Sequence, residues 1–289
     1  MRRWSFTKGH GTENDFVVIL DREGTLDIGP AEVRFLCDRH AGVGGDGLLR
    51  VVRARHVAEG DNPDPTMDGS LWFMDYRNAD GSIAEMCGNG VRVFVRFLLE
   101  NSLVSGHVIP VATRGGLKEA TLLRDGQIRV AMGPVRVEPG EVEVTTVDGE
   151  VFAAVGADVG NPHAVSFSDD LGHLRLHDAP RWEPAERFPH GVNLEFVRRL
   201  GPRHIEMRVH ERGSGETRSC GTGTVAAAAV AHAAGPDPEA SPATYRVDVP
   251  GGTVHVELAP DQAYLTGPAV LVAHGEVSVP AEILIPKEG

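Results

Sequence analysis

Cysteine is scarce in this 289-residue sequence: Cys37, Cys87 and Cys220 are the only three. Their odd number and wide spacing exclude a disulfide framework, and no Cys-x-x-Cys pair suggests zinc. A reducing cytoplasm is the expected compartment. Lysine is equally rare, with Lys8, Lys118 and Lys287, so a cofactor held as a Schiff base has few attachment points. Thirteen histidines occur without His-Glu-x-x-His or comparable spacing, and no metal is expected. Positive charge is in deficit, 28 Lys and Arg against 41 Asp and Glu, for a net charge of −13. That balance argues against duplex nucleic acid and against an anionic membrane surface. The longest apolar stretch, around Val225 to Ala234, is too short to span a bilayer. Arg2 and Arg3 are not followed by the apolar run of a signal peptide.

What is present is an ordinary globular composition, 41% apolar and 24% charged, which supports a sizeable core. At roughly 150 residues per domain the length suggests two domains. A faint internal repeat agrees with that division. Asn14-Asp15-Phe16-Val17-Val18 resembles Asn161-Pro162-His163-Ala164-Val165. Gly42-Val43, after Arg39-His40, resembles Gly191-Val192 after Pro189-His190. Cys87-Gly88-Asn89-Gly90 resembles Cys220-Gly221-Thr222-Gly223. Asn78 precedes Cys87 by nine residues, and Glu211 precedes Cys220 by the same nine. Four matches in one order point to two similar halves. The first half is longer, and His56 to Ser70, rich in Asp, Pro and Gly, reads as the extra surface loop.

Period-two alternation predicts strands at Gln127–Met132, His204–His210 and Thr253–Leu258. Phe16–Leu20, Leu48–Val52 and Leu71–Tyr76 are further strand candidates. Ala31–Arg39 reads as a short helix with Cys37 as core filler. A helix follows each cysteine motif. In the first, Val91, Phe94, Val95, Leu98 and Leu99 keep the 3.6-residue period. In the second, Thr224–Ala234 is alanine-rich and apolar nearly all round, as suits a helix enclosed by strands. The expected fold is α/β with mixed sheets (α+β in the broad sense). It comprises two pseudo-symmetric domains, each a strand-rich sheet wrapped around a central helix. Residues 1–133 with 276–289 form the half carrying Cys87, and 134–275 the half carrying Cys220.

Each cysteine stands where a strand leads into a helix that begins with glycine. Such a helix start offers unpaired N–H groups and a positive dipole end. A thiol there is expected to fall below its reference pKa of about 8.5. A carboxylate is also held there by backbone N–H groups, and glycine permits the close approach. Two such sites suit inversion of an α-carbon without a cofactor. A thiolate removes the proton from one face, and a thiol returns one to the other. The helix starts stabilise the charge that develops in the carbanion-like transition state.

Met86-Cys87-Gly88-Asn89-Gly90-Val91-Arg92 resembles the first signature of the diaminopimelate epimerases. Glu211-Arg212-Gly213-Ser214-Gly215-Glu216-Thr217, continuing through Cys220-Gly221-Thr222-Gly223, resembles the second. His10-Gly11-x-x-Asn14-Asp15-Phe16, Asn78-Ala79-Asp80-Gly81-Ser82, Gly160-Asn161-Pro162-His163 and Gly191-Val192-Asn193 follow in the family's order. The resemblance implies a cofactor-independent epimerase that converts LL-diaminopimelate to the meso isomer, for lysine and cell-wall synthesis. It implies two like α/β domains, with the last strand returning to the first, and members that are often homodimers. By the same resemblance Cys87 and Cys220 are the acid/base pair, and His163 and Glu211 tune their protonation. Backbone at Gly88-Asn89 and Gly221-Thr222 holds the reacting carboxylate. Asn14, Asn78, Asn161, Asn193, Glu211 and Arg212 bind the rest of the substrate. The chemistry of that far end agrees: Arg212 suits a carboxylate, Glu211 an ammonium, and asparagine either.

Two positions depart from the family pattern. Thr12 and Glu13 stand where members often have a small or apolar residue and then glycine. Gly47 stands where some have a substrate-contacting glutamine. A proline or hydroxyproline racemase of the same superfamily is the nearest alternative, but it has no need of groups for a distal amino acid. A dithiol redox or binding protein, with Cys87 and Cys220 forming a reversible disulfide, is the alternative from another class.

Overall fold

A computed structural model describes residues 2–58, 64 and 66–280. Contacts divide the chain into two compact units. The first comprises Met1–Gly11, Asp15–Ile128 and Ala269–Gly289; the second comprises Thr12–Asn14 and Arg129–Pro268. From sequence alone the expected junctions are 133/134 and 275/276. Pairing places the observed junctions at 128/129 and 268/269. Strand Ile128–Gly133 pairs with Gln262–Gly267, and Val270–Val279 runs antiparallel to Arg2–Gly11. Of the loop expected at His56 to Ser70, residues 59–63 and 65 lie outside the described residues. No helix among the described residues is long and apolar enough to cross a membrane.

In the first unit, helix α1 (Pro30–Cys37) starts with proline, whose missing N–H is no loss there. Glu32 Oε2 accepts the Gly29 N–H at 3.1 Å and closes that end. Val33, Leu36 and Cys37 turn inward onto Trp4, Val17, Ile19, Leu48 and Val279. Cys37 is core filler, as expected, and burial pushes its thiol up to about 12. Helix α2 (Gly88–Glu100) has Val91, Phe94, Val95 and Leu98 completely buried. It packs on strands Arg2–Gly11, Gly47–Arg53, Trp72–Asn78, Val108–Thr113, Gly116–Leu122 and Val270–Val279. Beside it Asp75 is buried among three arginines: Arg50 at 3.4 Å, Arg77 at 3.2 Å and Arg114 at 2.9 Å.

In the second unit, helix α3 (Gly221–Ala233) is buried from Gly221 to Ala231. Alanine makes this possible, because a thin helix lets strands approach on every side. Among the described residues, strands from Arg136–Thr145 through Gln262–Gly267 surround it. A second core lies on the other face of the same sheet, where Ala164, Leu194 and Phe196 meet Leu171, Leu174 and Phe188.

The two units repeat one local plan. Asn14–Leu20 runs parallel to Gly47–Arg53, with Phe16 opposite Gly47. Pro162–Phe167 runs parallel to Asn193–Gly201, with His163 opposite Asn193. Each second strand then pairs antiparallel with the one that leads to the cysteine: Leu49 faces Tyr76, and Glu195 faces Val209. Phe16 and Leu49 therefore correspond to His163 and Glu195.

Candidate active site

Cys87 is the N-cap of α2 and Cys220 the N-cap of α3. In each, the sulfur accepts the N–H of the third helical residue, Gly90 or Gly223, at 3.3 Å. A sulfur in this role replaces the usual Ser or Asp oxygen and sits against the dipole's positive end. Gly88 and Asn89, and Gly221 and Thr222, form the first turns, and all four are buried.

The electrostatics at Cys220 correct the sequence expectation. Its thiol is raised well above the usual value, not lowered. Burial is the main cause, and the carboxylates of Glu211 and Glu195 add to it. Thr222 Oγ1, at 3.5 Å from the sulfur, and the Gly223 N–H pull in the other direction. A single helix start does not offset the loss of water around a thiolate.

At Cys87 the neighbour is a cation. Arg92 is completely buried on α2, and its guanidinium donates to Asn89 Oδ1. Burial pulls Arg92 down to about 10, while the attraction of Cys87 opposes the fall. The corresponding residue five places after Cys220 is Val225.

The remaining predicted residues fall as follows. Asn161 Oδ1 meets His163 Nε2 at 3.0 Å, and its amide nitrogen donates to Thr222 Oγ1 at 3.4 Å. Asn193 donates to the Pro162 carbonyl and accepts the Arg212 backbone N–H, both at 3.0 Å. Glu211 accepts the Thr217 hydroxyl, and the Arg212 side chain is exposed, reaching the His190 carbonyl at 3.4 Å. The second unit thus gathers Asn161, His163, Asn193, Glu211 and Thr222 around the start of α3. In the first unit Asn78 ends its strand and donates to Ser82 Oγ at 3.0 Å.

Asn14 is buried and belongs with the second unit. The Thr12–Glu13 turn before it has φ of 52° and 61°, the left-handed region that glycine enters more easily. Thr12 Oγ1 lies 2.8 Å from Ser219 Oγ, and Glu13 accepts from Arg218, so the turn is tied to the segment preceding Cys220. Gly47 is fixed by crowding, since a Cβ there would lie 2.7 Å from both the Arg77 carbonyl and the Tyr76 ring.

Two charged residues gain their significance only in the fold. Arg92 closes the first cysteine motif, where the spacing assigns it no role. Glu195 interrupts the apolar run Leu194–Val197, and that anomaly is its only signal in the sequence.

A sequence profile described as diaminopimelate epimerase matches residues 6–138 and 155–272. The chain belongs to the diaminopimelate epimerase family. It is 53% identical to the diaminopimelate epimerase of Streptomyces coelicolor, over 95% of each chain. It is 50% identical to that of Thermobifida fusca, over 96% of this chain and 98% of the relative. Among solved structures, a probable proline racemase from Agrobacterium radiobacter K84 superposes with a TM-score of 0.69. That match covers 98% of this chain and 94% of the other at 18% identity, so it shows a shared fold. Family membership gives the paired cysteine motifs their context. Among the described residues no group of His, Cys, Asp and Glu could hold a metal ion.

Proposed function

We propose that this diaminopimelate epimerase family member interconverts LL- and meso-diaminopimelate by a two-base mechanism, with no cofactor, through Cys87 and Cys220. The observation that carries this reading is the matched pair of cysteine N-caps. Each sulfur accepts a glycine N–H at 3.3 Å, at equivalent places in two repeated units. On this reading one thiolate takes the α-proton and the other thiol delivers a proton to the opposite face. N–H groups at Gly88-Asn89 and Gly221-Thr222 bind the carboxylate whose negative charge grows in the transition state. Glu211 and Arg212 pair with the ammonium and carboxylate of the distal amino acid, and Asn14, Asn78, Asn161 and Asn193 complete the polar lining. His163 and Glu211 set the protonation of the thiols. A cytoplasmic enzyme, assembled as a homodimer, completes the proposal.

Proton NMR of LL-diaminopimelate with reduced enzyme in deuterated water tests it. Deuterium should enter the α-position as meso product forms. Both Cys87→Ala and Cys220→Ala should lose turnover by at least about 100-fold, the low end of what a positioned acid/base supplies. Exchange into proline without exchange into diaminopimelate would transfer the assignment to a racemase.

A further inference from the structure

His163 and Glu195 are completely buried, and His163 Nδ1 lies 2.7 Å from Glu195 Oε1. The other carboxylate oxygen, Oε2, is buried with no hydrogen-bond partner. Burying an acid in this way is costly, so the fold has to gain something from it. It is not a requirement of the architecture. The first unit builds the same place with Phe16 and Leu49, both completely buried. Even the glycine contact is repeated. A Cβ on Gly90 would meet Leu49 Cδ2 at 3.4 Å, whereas a Cβ on Gly223 would meet Glu195 Oε1 at 2.6 Å and Cys220 Sγ at 3.2 Å. Glu195 Oε1 and the Cys220 sulfur are thus no farther apart than the sum of those last two distances.

The hydrogen bonds have a direction. Asn161 turns its amide nitrogen toward Thr222 Oγ1 at 3.4 Å, which leaves Oδ1 facing His163 Nε2 at 3.0 Å. Both ring nitrogens then face acceptors, a carboxylate and an amide oxygen, and each needs a proton to satisfy its partner. Beyond Asn161 the Thr222 hydroxyl, with one lone pair taken by the amide, keeps its proton free to donate to a Cys220 thiolate, whose sulfur lies 3.5 Å away.

We propose that Glu195 is a positioning residue that keeps His163 charged, and so orients the Asn161–Thr222 chain to donate to the Cys220 sulfur. Each thiol then has a buried cation of its own: Arg92 for Cys87, and protonated His163 for Cys220. With a neutral His163 bearing its proton on Nδ1, the Asn161 amide would turn over to donate to Nε2. Its oxygen would then take the Thr222 proton away from the sulfur.

Few other charges face this group. On the sheet face turned to α3, the strands carry Glu211 beside Cys220, along with His163 and Glu195. His210 points the other way, to the Leu176 carbonyl. Arg199 donates to the Ala231 carbonyl and His232 meets Tyr245, both near the far end of the helix.

The inference rests on Cys220 being a reacting thiol, but its test does not depend on the substrate. Glu195→Gln keeps the shape and an acceptor for Nδ1 while removing the charge. In protein with 15N-labelled histidine, His163 should show two protonated nitrogens in the wild type and one in Glu195→Gln. The pH midpoint for alkylation of Cys220, followed by peptide mass spectrometry, should rise by about one unit. That is about a tenfold slower reaction near neutral pH, the effect of one lost hydrogen bond to a charged group. If Glu195→Gln does not fold, the double variant His163→Phe with Glu195→Leu copies the first unit's apolar pair and should raise the midpoint likewise. A neutral His163 in the wild type, an unmoved midpoint, or a midpoint lowered by relief of carboxylate repulsion would overturn the proposal. Intact His163 and Cys220 behaviour in a wild type that does not turn over diaminopimelate would instead count against the substrate.

Discussion

At the residue scale, legibility followed chemistry that leaves a trace in spacing. The cysteines, their glycines and the nine-residue interval from Asn78 and Glu211 are visible because a capped helix start needs residues in fixed order. Arg92 and Glu195 are not visible that way. Each contacts its site through burial, and nothing in Val91-Arg92-Val93 or Leu194-Glu195-Phe196 says which way the charge points. The same is true of Asp75, whose role is structural. Burial works against its carboxylate, yet Arg77 and Arg114 hold its pKa below the ordinary range. Removing one partner of a buried ion cluster is far more damaging than never having built it. Asp75→Asn takes this carboxylate from Arg77 and Arg114, while Arg50 keeps Asp21 at 2.6 Å. It should cost about 3–5 kcal/mol in urea denaturation. A loss under 1 kcal/mol would mean that the arginines find water or other acceptors.

At the element scale, the strands were found wherever alternation was strong, and their ends moved by one or two residues. The predicted Gln127–Met132 strand is observed as Ile128–Gly133, and His204–His210 as His204–Glu211. Helix α3 begins at Gly221, three residues before the expected Thr224, because the apolar period starts only after the capping turn. The two cysteine helices begin alike in sequence, with Cys-Gly-x-Gly, but their third residues do not have equal room. Gly90→Ala meets only ordinary van der Waals contacts, so it should hold or slightly raise the melting temperature through better helix propensity. Gly223→Ala forces a methyl group to 2.6 Å from Glu195 Oε1 in a packed interior. Overpacking of that kind typically costs about 1–3 kcal/mol. Thermal unfolding of the two variants side by side measures the asymmetry. Equal melting temperatures would show that Glu195 has space to withdraw.

At the scale of the whole molecule, the repeat was readable, and so was the return of the last strand, which came with the family resemblance. The loss of like-for-like chemistry between the units was not. A repeat in sequence says that two folds correspond, and it is silent on where one substitutes Phe16 and Leu49 for His163 and Glu195. The pH response is likewise a property of the assembled fold. Lys8 and Arg39 hold Asp15 far below the carboxylate range despite its burial. Burial also opposes Asp248, but hydrogen bonds from Thr253, His204 and Arg246 hold it at about 2. Lowered carboxylates contribute stability above their unfolded pKa of about 3.9 and lose it as the pH falls through the folded values. The thiols act at the other end. Cys37 rises from the reference of about 8.5 to about 12, so its contribution is whole below the unfolded value and disappears as the pH climbs toward the folded one. Cys37 lies in the α1 core, apart from the proposed machinery, which makes Cys37→Ala a clean probe. Near neutral pH the variant should be less stable by about 1–2 kcal/mol for lost packing. By about pH 10 the gap between the two proteins should narrow by about 1 kcal/mol, because only the wild type must keep a buried thiol protonated against the solvent. Urea denaturation at both pH values reads the difference directly, and a gap that stays constant would place the alkaline limb elsewhere, with Cys220 as the next thiol to replace.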